Sequence, residues 1–397
     1  MKRISSARIP LAVMAVLSSL LVGAAGIFGQ AAAPADPAET AAALEQQGRA
    51  VEAEAAWKAV MKLHPNNADA YAHLGFLEAR QEHYTEAVPY YRKALALNPA
   101  MPGLRMNLGL ALFKAGQLKD AVSTFALLLK SAPPASPDAQ RLTTLIGLAH
   151  YGLGEYTTAI PYLKKAAGYD PQSLALRLAL AHSCLASKQY PCVLDVYKEI
   201  LTLNAESAEA DMLAGEAMDA MQDHAGAIQQ FRAAVKANPN EPNVHFGLGY
   251  LLWTQNQYPE AAQEFQAELN NVPESAPAMA YLADTQIKMS QPDKALPLLQ
   301  NAIRIDSTME LPHLDLGILR ADAGRQEEAL AELNIAAKLS PDDVAVHYRL
   351  ARLLKSMGKQ QEAAVEFEKT NSLHKAASKT VRDQINAITS REASRPQ

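Results

Sequence analysis

The chain of 397 residues is 49% hydrophobic, 20% charged and 6% aromatic, a composition that supplies a large core and excludes a collagen-like or wholly disordered protein. Lys and Arg number 37 against 42 Asp and Glu, a net charge of -5, and the first eight residues hold Lys2, Arg3 and Arg8 without an acid, so the rest is more acidic still. That balance argues against a nucleic-acid partner, because phosphate binding needs a concentrated excess of Lys and Arg. With two cysteines, Cys184 and Cys192, there is no disulfide framework and no Cys-rich metal site.

The N-terminus has the layout of an export signal. A basic stretch from Met1 to Arg8 precedes apolar Ile9 to Phe28 and then small residues around Gly29-Gln30-Ala31, the order of n-region, h-region and cleavage site. Residues 1–31 are expected to be a signal peptide cut near Ala31. The competing expectation is an uncleaved membrane anchor, since about 20 apolar residues span a bilayer as a helix. In either case the positive end stays in the cytoplasm and the remainder is exported. The membrane is then met only through this segment, if it is retained, and no cysteine lies near the cut for lipid attachment.

Beyond it the chain repeats. Small residues recur at Ala41, Gly75, Gly109, Gly147, Ala181, Gly215, Gly249, Ala283, Gly317 and Ala351, each 34 residues after the last except for the 38 between Gly109 and Gly147. Twelve residues after each stands an Ala, or Val193 in one case. Four further on comes a large apolar side chain: Trp57, Tyr91, Phe125, Leu163, Tyr197, Phe231, Phe265, Leu299, Leu333 or Phe367. Ten units in phase at three positions define a tandem array. Within a unit such as 69–99, apolar residues fall at helical spacing in two stretches, around Leu74 and around Tyr91, so each unit predicts a helical hairpin. The small residues let helices approach and the large ones fill the space between units. Prolines 24 residues after the small mark, such as Pro65, Pro99 and Pro239, stop the second helix.

The stretches Tyr71-Ala72-His73-Leu74-Gly75, Tyr84-Thr85-Glu86-Ala87 and Ala94-Leu95-Ala96-Leu97-Asn98-Pro99 resemble the tetratricopeptide repeat, here in an exported bacterial setting. The resemblance runs over residues 34–377, ten repeats with a four-residue insertion near 131–138. It implies an all-α, right-handed superhelical solenoid whose concave face is lined chiefly by the first helix of each repeat. Departures are local: Ala205, Ser307 and Lys375 replace the terminal Pro, Val193 the central Ala, and Glu268 stands where a small or apolar residue is usual.

A solenoid needs its ends covered. At the front, Asp36-Pro37-Ala38-Glu39 reads as an N-cap, a Pro at the first helical position and an acid in the first turn. At the back, Val381, Ile385 and Ile388 form an apolar stripe, so residues 378–397 are expected to be a cap helix on the tenth repeat followed by a tail. The Pro-rich insertion, Ser131 to Asp138, either bulges outward as a loop or bends the array. Cys184 and Cys192 fall on the two helices of the fifth repeat; export permits a bond, but disulfide geometry is demanding and two buried thiols are expected.

Patterns that carry catalysis are missing. There is no His-Glu-x-x-His, no Gly-x-Ser-x-Gly and no phosphate loop, and Gly247-Leu248-Gly249 lacks the last Gly of a dinucleotide fingerprint. The ten histidines show no i, i+3 or i+4 pair to hold a metal. No enzyme activity, cofactor or metal is expected. Placed on the family's pattern, Phe76, Phe113 and Tyr151 fall in the front of the groove and Phe246, Tyr250 and Trp253 in the seventh repeat. Glu209, Glu216, Asp219, Asp284 and Asp322 follow, with Arg349, Arg352 and Lys355 in the tenth repeat. Aromatic anchors amid charge suit a groove for protein or peptide segments, although the same rings could pack between helices and the acids could form a solvated face. Of the family's carboxylate clamp only Asn107 is recognisable, so capture of a free C-terminal carboxylate is not expected.

The expected protein is thus a non-enzymatic exported scaffold that binds protein or peptide segments in cell-envelope assembly or secretion. It would act in the periplasm, outside the cell, or anchored in the inner membrane facing the periplasm. The alternative is an accessory subunit of a polysaccharide or outer-membrane export machine, with glycan as the more distant ligand.

Overall fold

The computed structural model describes residues 36–203 and 206–393, with side chains to 376 and at 378. The expected signal or anchor, residues 1–31, lies outside the described residues. Among those described are twenty α-helices and no strand, paired into ten hairpins from Pro37–Gln46 with Ala50–Leu63 to Val344–Ser356 with Gln360–Ala393. No described helix is long and apolar enough to cross a membrane.

Local chemistry starts and stops the helices. Asp36 accepts from Ala38 N, with Pro37 at the first helical position, and Asn67, Ser136, Ser173, Ser275 and Asp343 cap first helices in the same way. Between the two helices of every repeat one residue takes positive φ: Gly48, Glu82, Gly116, Gly154, Lys188, Gln222, Asn256, Ser290, Gly324 and Gly358. That residue ends the first helix in the left-handed conformation, and where it is not glycine the backbone carries strain.

Packing follows the three sequence marks. A methyl group added to Gly75 would lie 2.7 Å from the Tyr91 ring, one on Gly249 2.9 Å from Phe265, and one on Gly317 2.8 Å from Leu333. The large side chain thus presses on the small residue of its own hairpin, and the two helices meet ring against backbone. Ala53, Ala87, Ala121, Ala159, Val193, Ala227, Ala261, Ala295 and Ala329 are all fully buried. Tyr197 and Phe367 are the half-buried members of the large series.

The described residues form two compact units, one running to residue 206 and including 216–221, the other of 207–215 with the residues from 222 onward. The boundary falls at the first helix of the sixth repeat and not at the Pro-rich insertion. That insertion is an outward loop: Ser136 N donates to Pro133 O, the next helix starts at Pro137, and Leu142, Leu145 and Ile146 share one core cluster with Phe125 across it.

Two expectations change. The segment read as a separate cap, from residue 378, continues the second helix of the tenth repeat, Gln360–Ala393, without a break; the side chains of Val381, Ile385 and Ile388 lie outside the described residues. Cys184 and Cys192 are bonded, not free, with S–S 2.07 Å and Cα–Cα 5.9 Å, because the hairpin brings facing positions of its two helices within the span a disulfide bridges.

Candidate functional site

In the second unit the first helices of repeats seven to ten, Val244–Thr254, Ala276–Lys288, Glu310–Asp322 and Val344–Ser356, touch one another in succession. Among the described residues the second helices make no contact of that extent, so the first helices form the closer-spaced inner face. The inner face begins at a helix with an unusual start. Asn243, its N-cap, has φ 67° and offers no side-chain capping bond. Glu268, from the second helix of the same hairpin, takes over: it is 1% exposed, its Oε1 accepts from Asn243 N at 3.2 Å and its Oε2 from Phe246 N at 3.2 Å. A carboxylate at a helix N-terminus is favoured by the dipole and satisfies donors that would otherwise be orphaned. The residue that departs from the family pattern therefore fixes the helix that carries Phe246, Tyr250 and Trp253.

Those three rings meet around a fourth that the sequence did not single out. Tyr281 lies 5.7 Å from Phe246, 5.4 Å from Tyr250, 5.2 Å from Trp253 and 5.8 Å from Phe265, centroid to centroid. The first three contacts are edge-to-face, the arrangement that the ring quadrupole favours. Phe246, Tyr250, Trp253 and Tyr281 are each half-buried, so the cluster packs the seventh repeat on the eighth and still presents aromatic surface. The rings expected from sequence as binding candidates are thus packing elements as well. Tyr281 stands two residues before its small mark, where the other repeats carry no consistent residue type, so no periodicity announced it.

Asp284 joins the rings to a set of acids. Its Oδ2 accepts from Trp253 Nε1 at 2.6 Å, and Lys288 Nζ is 4.0 Å from its Oδ1. Burial pushes the Asp284 carboxyl above its usual range, against the pull of Trp253 and Lys288. Asp315, on the next first helix, is 4% exposed, and its Oδ2 is buried without a hydrogen-bond partner. Burial raises this carboxyl well above the ordinary range, with Asp284 and Glu310 adding to the effect. Glu310, at the start of the same helix, is pushed up to about 7 by burial and by Asp343, and its Oε1 is also buried and unpartnered. Burial likewise raises the Tyr281 hydroxyl to about 12. Arg349 and Arg352 are exposed on the first helix of the tenth repeat, Arg352 over the Tyr348 ring at 6.0 Å.

The other expected residues are not drawn into this group. Phe76 is half-buried beneath Arg80, 5.8 Å from its ring, and Phe113 packs on the core of the second to fourth repeats. Tyr151 is 4% exposed, in edge contact with Tyr156 and His182. It belongs to the core, not to a surface, because Tyr156 and His182 pack against its ring. Glu216 is exposed and Asp219 half-buried, both in the first unit. A depression of about 440 Å³, lined by Gln263, Gln266, Asn270 and Gln286 together with Leu282 and Met289, lies between the second helix of the seventh repeat and the eighth hairpin and contains none of the rings.

Sequence reasoning also missed a clasp. His245, His313 and His347 each bring Nδ1 within 2.5–2.6 Å of a carboxylate 19 residues on, Glu264, Glu332 and Glu366, tying first helix to second. The signal was a His at multiples of 34 with a Glu at constant offset. Among the described residues no group of His, Cys, Asp and Glu is placed to hold a metal ion.

Comparison with known proteins agrees with this architecture. Models of the tetratricopeptide repeat match residues 78–146 and 150–217, and 39–102, 194–242, 212–278 and 314–370. The chain belongs to the tetratricopeptide-repeat family, a family of generally non-catalytic scaffolds for protein–protein interaction. It is similar to BBSome complex member BBS4 of Bos taurus, 24% identical over 57% of this chain and 43% of that one. It also resembles DnaJ protein P58IPK homolog A of Oryza sativa subsp. japonica, 21% identical over 75% and 61%. The TPR repeat-containing protein YpiA of Bacillus subtilis is 23% identical over 60% and 55%. The chain thus spans about half the length of these relatives. Among solved structures, the Cut9-Hcn1 tetramer of APC/C aligns with TM-score 0.47 at 16% identity, over 76% of this chain and 59% of that one. YrrB, a TPR protein with an unusual peptide-binding site, aligns with TM-score 0.37 at 19% identity, over 45% and 91%.

Proposed function

We propose that this protein is an exported scaffold that binds a segment of another protein on the inner face of its seventh to tenth repeats, in cell-envelope assembly or secretion. The observation that carries the reading is the half-buried aromatic cluster of Phe246, Tyr250, Trp253 and Tyr281. Large rings with one face packed and one face open are the groups that dominate binding energy at protein interfaces. Export rests on the basic and apolar N-terminal sequence, and a bonded Cys184–Cys192 pair suits an oxidising compartment. The mature protein would then act in the periplasm or outside the cell, or facing the periplasm if the N-terminal segment is retained.

The test is affinity capture of the exported protein after cross-linking in its native envelope. One dominant protein partner, lost with Trp253→Ala and Phe246→Ala at unchanged helicity, supports the reading. Recovery of glycan in place of protein, or capture indifferent to both substitutions, contradicts it.

A further inference from the structure

The acids beside the aromatic cluster show what kind of segment the face accepts. Asp315 is 4% exposed and its Oδ2 has no donor, and Glu310 Oε1 on the same helix is orphaned as well. Buried oxygens without donors are costly, and the cost is greatest when they are ionised. Asp284 links these acids to the rings: its Oδ2 accepts a hydrogen bond from Trp253 Nε1, and it stands within electrostatic reach of Asp315. The chain's own cations do not complete the set: Lys288 reaches Asp284 only at 4.0 Å with its side chain half in solvent, and Arg349 is exposed. What is missing is a group that only donates. Ammonium and guanidinium groups are the side chains with donors and no acceptor, and both sit favourably against Trp and Tyr rings.

We infer that the inner face at the seventh to ninth repeats takes a Lys or Arg side chain of the bound protein segment, held against Trp253, Tyr250 and Tyr281 and paired with Asp284 and Asp315. The inference rests on the proposed binding of a protein segment and names its anchor. Charge complementarity selects the occupant. An acidic or purely apolar segment would leave the buried oxygens without donors, whereas a basic side chain supplies both the donors and the compensating charge. Arg349 and Arg352, one repeat further on, place positive charge beyond this pocket of acids, so the register of a segment is set by a basic residue here and an acidic or neutral one there.

The probe is a random twelve-residue peptide library displayed on phage and selected on the full chain, followed by titration of the best synthetic peptide. A second synthetic peptide carries citrulline for Arg or norleucine for Lys at the enriched position. The expected result is a Lys or Arg fixed at one position, affinity about tenfold weaker or worse for the uncharged peptide, and a loss of that size with Asp315→Asn. The uncharged peptide should bind Asp315→Asn and the unaltered protein alike. Asp315→Asn removes the carboxyl that a basic side chain would ionise and keeps its shape, and Asp284→Asn serves as a second variant if it does not fold. Selected peptides that depend on Trp253 but carry no basic residue overturn the anchor while leaving the binding face standing. Failure to enrich any peptide overturns both.

Discussion

At the scale of single residues, one side chain that breaks the repeat pattern, Glu268, helps to build the candidate site. Glu268 replaces a small residue and caps the helix of Phe246, Tyr250 and Trp253 through two backbone donors. Glu268→Ala leaves both donors without a partner in a buried setting and is expected to cost about 1–3 kcal/mol in urea unfolding; Glu268→Gln should recover part of the loss. The buried acids set a pH dependence of known sign. Glu310, Asp284 and Asp315 have carboxyls raised in the folded state, so the fold keeps protons that the unfolded chain releases. Their contribution to stability is complete below the unfolded carboxylate range and is lost as pH rises through each raised value, about 7 for Glu310. The groups facing Glu310 include Asp343, Tyr281 and Asp315, and Lys288 and Arg349 act on Asp315 in the opposite sense. Glu310→Gln is expected to flatten the fall of the urea midpoint between pH 5 and pH 7.5; an unchanged slope would contradict the assignment.

At the scale of the helical hairpin, the sequence was most legible. The positions that read as small, small and large are those at which the two helices meet, as the contact of Gly249 with Phe265 shows. Gly249→Val is expected to destabilise by about 1–3 kcal/mol, since the ring it meets has no room to move. The left-handed turn residues were legible in principle, recurring with the same period, but five of them are not glycine and composition hides them. Lys188→Gly should raise stability by about 0.5–1 kcal/mol, because relief of the left-handed strain exceeds the added freedom of the unfolded chain. Contacts between hairpins were not legible. The contacts of Tyr281 with Phe246, Tyr250 and Trp253 and the Trp253–Asp284 bond join residues 28 to 35 apart whose facing depends on helix rotation, which periodicity in one helix does not specify. Tyr151 fell on the expected face and is core for the same reason. The disulfide of the fifth repeat closes a separation of eight residues, and its reduction should cost about 2–3 kcal/mol, read as a lower urea midpoint in dithiothreitol that Cys184→Ser with Cys192→Ser reproduces.

For the whole molecule, a repeat array assigns its stability and its identity to different residues. The marks that recur are buried and specify stacking, so they say nothing of the partner; in the proposed function the residues that do not recur, on the first helices of repeats seven to ten, carry the recognition. The relatives that this chain resembles are longer than it is. The most direct test of the central claim is a photo-reactive amino acid placed in the native envelope at Arg349, on the inner face, and at Gln266, exposed on a second helix. The account predicts one dominant cross-linked protein from position 349 that disappears with Trp253→Ala, and none from position 266. Equal cross-linking from both positions, or a product at 349 that survives Trp253→Ala, would contradict it.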